Sequence, residues 1–239
     1  MNPPQTLSRP LAKRFATLAA LRPPPETPPT PLHVIDAAAA ALARGETHYT
    51  DRPGIPELRA WVANHLRERW AVRVDASEVT ITCGSTEARY VALTLLTEPG
   101  GAALCLGDDT LIRGPLQLLG GHVVQASDAA LRLLYLRPDD DRPAVLNWLR
   151  LAQAADWWII WDKSFCATDD FHPAQDEQLA ERVVTIDSLS HGLAGWRLGW
   201  MAGSAAALRL RAGKQAITIC TTAVSQWAGL AWLEAGGGA

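Results

Sequence analysis

Lysine is nearly absent from this chain. Of its 22 basic residues only Lys13, Lys163 and Lys214 are lysines. The rest are arginines, which stay charged in proteins and are poor partners for an aldehyde. Cysteine is also sparse. Cys83, Cys105, Cys166 and Cys220 form no CxxC pair, which argues against a zinc site or a disulfide framework. Three of the four sit in or beside apolar runs, which points to reduced, buried thiols and fits the cytoplasm. No apolar run reaches the roughly 18 residues that a bilayer-spanning helix needs. A net charge of −3 supplies no positive field for nucleic acid or anionic lipid.

What the chain does have is apolar mass. Its 239 residues are 48% hydrophobic, enough for one sizeable core. Residues 1–31 read as a Pro-rich arm, stiffened by Pro23 to Pro31. Arg9, Lys13, Arg14 and Arg22 precede its first acid, Glu26, a loose likeness to an organellar leader that three consecutive prolines interrupt. Residues 32–235 read as a single α/β domain, and 236–239 as a flexible tail.

Within that domain, helices are expected over 32–45, 54–70, 85–100, 110–121 and 143–156, with a last helical region over 205–234. Between them "EVTITC", "AALCL", "HVVQA", "LRLLYL", "WWIIWD", "RVVTID" and "RLGWMAGS" read as strands. Apolar strands alternating with helices predict a three-layer α/β sandwich with a mostly parallel sheet. Ligands of such sheets bind at the carboxyl ends of the strands.

Three stretches at those ends carry candidate chemistry. In "TCGSTEARY", Gly84 permits a tight turn that leaves the amides of Ser85, Thr86 and Glu87 at a helix start, an anion site or an ordinary N-cap. In "WWIIWDKSF", Asp162 ends an apolar strand and needs a partner, either an arginine or a protonated ring nitrogen. "SLSHGLAGWRLGW" offers Ser188, Ser190 and Arg197 as phosphate ligands, or is simply a glycine-containing loop with a surface arginine.

Taken together, "THYTDRPGIPELR", "ITCGSTEARYVAL", "GGHVV" and "VVTIDSLSHGLAGWRLGW" resemble fold-type-I, pyridoxal-phosphate (PLP) dependent aminotransferases of class I and II. The resemblance runs from about Leu32 to Leu233 and implies a PLP-transferase-like large domain in a homodimer. It implies that Ser85, Thr86 and Glu87 cradle the PLP phosphate, with Ser188 and Arg197 completing the cup. It implies Tyr49 reaching in from a partner subunit and Asp162 pairing with the pyridinium nitrogen, which keeps the ring an electron acceptor.

The departures from the family pattern fall on catalytic positions. "SLS" runs directly into "HGLAGWR", so His191 stands at or beside the lysine's place and no primary amine is there. Histidine cannot form a stable imine or take over the lysine's proton transfers. Lys163 is expected on the opposite face from Asp162, Lys214 well past the loop, and Lys13 in the arm. Phe165 lacks the hydroxyl that would reach the ring oxygen. Asp140 stands nearest the place of an asparagine and would repel that oxygen. Only Leu111 or Ile112 is available where a ring would stack. The chain ends before the small C-terminal domain and its substrate arginine.

These losses favour a degenerate, truncated transaminase, a pseudoenzyme that holds PLP non-covalently at best and takes a small amino-acid or phosphorylated ligand. An active PLP enzyme with altered chemistry or a partner-supplied group is the alternative. A non-enzymatic dimeric scaffold, using some of the ten tryptophans at interfaces, is the third.

Overall fold

The computed structural model describes residues 29–125, 131–166 and 170–237, without the side chains of Ser190 and His191. Most of the arm, Lys13 and the last two residues lie outside it.

Two helices lead into the sheet: α1 (Leu32–Ala43) and α2 (Pro56–Trp70). Proline at the first position of α2 suits a helix start, where its missing N–H has no partner to lose. Left-handed Ala71 closes the other end. There follow β1 (Val79–Thr82), α3 (Ser85–Leu96), β2 (Ala102–Cys105), α4 (Thr110–Leu118), β3 (His122–Val124) and β4 (Leu133–Leu136). Next come α5 (Arg142–Ala154), β5 (Trp158–Asp162), β6 (Val183–Ser188), the one-turn α6 (Ser190–Leu193) and β7 (Gly199–Ala202). The last two helices are α7 (Ala207–Thr218) and α8 (Ala223–Glu234).

The seven strands form one sheet in the order β1-β7-β6-β5-β4-β2-β3. From β6 to β3 every pairing is parallel; β7 runs antiparallel to both β6 and β1. Most strands are buried along their length, as a sheet covered on both faces requires. On one face Tyr135, Ile160, Ile186 and Met201 pack against Ala88 and Ala92 of α3, Ile112 of α4 and Leu210 of α7. On the other, α2 and α8 cover Ile81 and Trp200, while α5 covers Leu134 and Ile159. The three layers are therefore those expected.

Differences from the sequence expectation are local. The last helical region is two helices, broken at Ile219–Thr222, where Ile219 takes φ +60°. The strand expected from Arg197 begins at Gly199, because Arg197 itself is left-handed at φ +55°.

Candidate functional site

Strand alternation sends Asp162, like Ile160, to the face covered by α3. Its carboxylate is fully buried, and both oxygens are taken. Oδ2 accepts from Arg89 Nε and, at 2.6 Å, from the Tyr135 hydroxyl. Oδ1 accepts from the Ser164 amide at 3.0 Å and the Ser164 hydroxyl at 2.5 Å. Arg89 is only 2% exposed, and its Nη2 donates to Ser85 Oγ at 3.0 Å and Ser164 Oγ at 2.5 Å. Burial, followed by the Asp162 charge, drives the Tyr135 phenol well above its ordinary pKa, so it remains a donor. Of the two partners open to Asp162 at the sequence level, the structure supplies the arginine.

Arg89 is the residue that motif reading missed. A signal was there: on α3, Ser85, Ala88, Ala92 and Leu96 share the buried stripe, and an arginine at position 89 falls on it. A charge on an apolar stripe and a charge ending an apolar strand each demand a counter-ion.

Above this floor lies the start of α3. Gly84 takes φ +81°, and a Cβ there would meet Arg197 Nη2 at 2.7 Å, so the guanidinium lies directly against the turn. Arg197 Nη2 also donates to the Cys83 carbonyl at 3.3 Å. The Glu87 side chain turns back to accept from the Cys83 amide at 2.6 Å and is held from behind by the Thr218 hydroxyl. Ser85, Thr86, Glu87 and Arg197 are thus together, and a cleft of about 840 Å³ opens beside them, lined also by Tyr90, Pro115 and Leu118. Backbone N–H groups at a helix start beside a guanidinium can hold an anion.

Of the other expected residues, Ser188, which ends β6, lies beside this group, since its register partner Gly199 abuts the Gly84–Ser85 turn, and the rest scatter. His191 lies in α6, its side chain outside the described residues. Asp140 folds back to accept from the Arg137 amide at 2.7 Å and packs against Gly107; burial raises its pKa. Tyr49 stands 80% exposed on the loop between α1 and α2, outside the buried network.

Neither described lysine substitutes from within that network. Lys163 lies on the opposite face, its Nζ 4.0 Å from the Trp70 ring centroid and 3.2 Å from Asp187 Oδ2. Lys214 is closer to the α3 start than its place in sequence suggests. It is fully buried on α7, and its electrostatic neighbours are Glu87, Cys83 and Cys220. Its Nζ has no hydrogen-bond partner among the described residues, and burial lowers its pKa. A buried, unbonded amine costs stability. Lys214→Met is accordingly expected to raise the unfolding free energy by about 1–2 kcal/mol in urea titration; a loss would mean that the amine is paired in solution.

For PLP the fit is divided. The α3 start and Arg197 suit its phosphate. The floor does not suit its ring, because Asp162 is already neutralised and saturated, and the β6–β7 connection carries no amine.

Comparison with known proteins gives the family that the sequence motifs resemble. The family model "Aminotransferase class I and II" matches residues 23–106. Arginine–pyruvate transaminase AruH of Pseudomonas aeruginosa is 31% identical over 209 residues, 74% of this chain and 53% of that one. A probable aspartate aminotransferase of Methanocaldococcus jannaschii is 38% identical over 212 residues, 73% and 54% of the two chains. Aspartate aminotransferase of Thermotoga maritima superposes with a TM-score of 0.78 at 25% identity, covering 97% of this chain and 72% of the other. N-succinyldiaminopimelate aminotransferase of Mycobacterium tuberculosis gives 0.78 as well, at 25% identity over 96% and 72%. The chain belongs to the class I and II aminotransferases of fold type I. It spans about half the length of the first two of these relatives.

Proposed function

We propose that this chain is an aminotransferase-class protein that keeps the anion-holding rim of a PLP site and has lost its covalent chemistry. One observation carries the reading: Thr185 to Trp200, which leads from β6 into β7, contains no lysine. Without a primary amine there, no group at that place can bind the cofactor aldehyde or return a proton to the substrate carbon. The phosphate of PLP would rest on the amides of Ser85, Thr86 and Glu87, with Arg197 against the turn and Ser188 nearby. A homodimer would bring Tyr49 toward the neighbouring protomer's site, as the resemblance implies. Reduced cysteines fit a cytoplasmic protein, and no helix among the described residues is long and apolar enough to cross a membrane.

The test is spectroscopic. Purified protein mixed with PLP is expected to leave the free-aldehyde absorption unchanged, with nothing fixed to the chain by borohydride. A reducible band would overturn the reading. Lys214 gives a second reading its footing, since a buried amine with a lowered pKa can attack a carbonyl. A reducible band that Lys214→Met abolishes would make the chain an active PLP enzyme with altered chemistry. Inserting Lys-Ser between Ser190 and His191 is expected to create such a band where the unaltered chain has none, because it restores the missing amine beside an intact rim. No band from that insertion would show that the loss extends beyond the loop.

A further inference from the structure

We propose that Arg89 is a built-in counter-ion standing in for the ring nitrogen of PLP, so that the floor of this site is complete with no cofactor bound. The proposal deepens the impaired-enzyme reading of the same site, and the two fail separately.

A buried carboxylate must be neutralised or displaced. In a PLP enzyme of this family the protonated pyridine does that for the aspartate at the Asp162 position. Here the guanidinium of Arg89 does so from inside the same layer, four residues into α3 from Ser85. The arrangement is redundant rather than incidental. Arg89 grips Asp162 through Nε, and its Nη2 is fixed by Ser85 and Ser164. Ser164 in turn donates twice to the other carboxylate oxygen. Tyr135 closes the set at 2.6 Å. Phe165, held at φ +67°, lays its ring centroid 5.8 Å from Arg89 Cζ and covers the guanidinium.

Four donors satisfy the two oxygens of Asp162, and a fifth from a ring nitrogen has no good lone pair left to meet. A pyridinium brought against this floor would also face the positive guanidinium. The ring of a bound PLP is therefore expected to gain nothing from Asp162, and affinity to come from the phosphate alone.

Pyridoxine 5′-phosphate is the probe, because it carries the ring nitrogen and the phosphate but no aldehyde and so cannot form an imine with any lysine. Inorganic phosphate is the reference. With the unaltered chain, the two are expected to raise the unfolding midpoint equally at matched concentration, and Asp162→Asn is expected to leave their relative affinity within about twofold. Arg89→Met should lower the midpoint by about 10 °C, the cost of an uncompensated buried charge. Pyridoxine 5′-phosphate should then recover part of that loss where phosphate recovers less. The double variant Arg89→Met with Asp162→Asn should fall well short of the summed single losses.

The proposal is overturned if the unaltered chain prefers pyridoxine 5′-phosphate tenfold or more over phosphate and Asp162→Asn erases the preference. Additive losses in the double variant overturn it as well. If Arg89→Met does not fold, the affinity ratio in the unaltered chain and in Asp162→Asn decides alone. A reducible band with PLP would sink the impaired-enzyme reading while leaving these outcomes untouched.

Discussion

Gly199→Ala is expected to cost about 3 kcal/mol of folding stability or more, read as a fall of roughly 10 °C in the unfolding midpoint. A Cβ at this position would lie 2.6 Å from the Gly84 carbonyl carbon, 2.8 Å from the Ser85 nitrogen and 2.9 Å from the Asp187 carbonyl oxygen. All three are backbone atoms, so no side chain can swing away. Relief requires β7 to move from the start of α3 or from β6, and both shifts break ladder hydrogen bonds. The same displacement would carry Arg197 from Gly84, so anion affinity at the rim should fall with stability. The control is Gly114→Ala, where an added Cβ meets nothing within 4 Å. An unaffected Gly199→Ala protein would mean that the strand and the helix start do not approach this closely.

The second large effect is a loss of stability in acid, centred on His172. This imidazole is fully buried between Trp70 and Trp161. Nδ1 accepts from the Ala174 amide at 3.1 Å, which leaves Nε2 to donate toward Thr185 Oγ1, also at 3.1 Å. Burial first, and the Lys163 charge second, lower its pKa from 6.5 to about 3. Between those values the unfolded chain binds a proton that the folded chain refuses. The contribution is therefore intact above pH 6.5 and is lost progressively as the pH falls. The slope is about 1.4 kcal/mol per pH unit, or about 3 kcal/mol near pH 4.5. His65, lowered to about 4 by burial and then by Lys163 and Arg69, adds in the same direction. Denaturant titrations at several pH values should show this slope, and His172→Gln should flatten it while lowering stability at pH 7. Equal slopes in both proteins would mean that His172 is not buried neutral.

How much of this was legible beforehand depended on whether a feature has a local signature. The alternation of apolar strands and helices encoded the three layers, and all seven strands were found to within two residues at either end. Strand direction has no such signature: "RLGWMAGS" reads alike whether it runs with its neighbours or against them, and only the pairing of Gly199 with Ser188 and Thr82 reveals the reversal. The break between α7 and α8 was invisible because Ile219 to Thr222 contains neither glycine nor proline. At the site, the gathering of Ser85, Thr86, Glu87 and Arg197 followed from motif order. The counter-ion of Asp162 did not, since the motif directs attention to the amides at the helix start and away from a side chain further along. Lys214 was misjudged for a similar reason. Distance along the chain hides the fact that α7 packs against α3 and brings that amine near Glu87 and Cys83.

The antiparallel seating of β7 has a consequence for how the molecule comes into being. Among the described strands β1 pairs with β7 alone, through partners such as Val79 and Ala202, more than a hundred residues apart. Until the ribosome has released that second partner, β1 has no strand neighbour and the turn at Gly84 lacks Gly199 to lean on. Loop closure over such a separation is slow. The anion rim is thus among the last pieces to assemble, and a nascent chain stalled before Gly199 would display β1 as an open edge, ready to pair with a stranger.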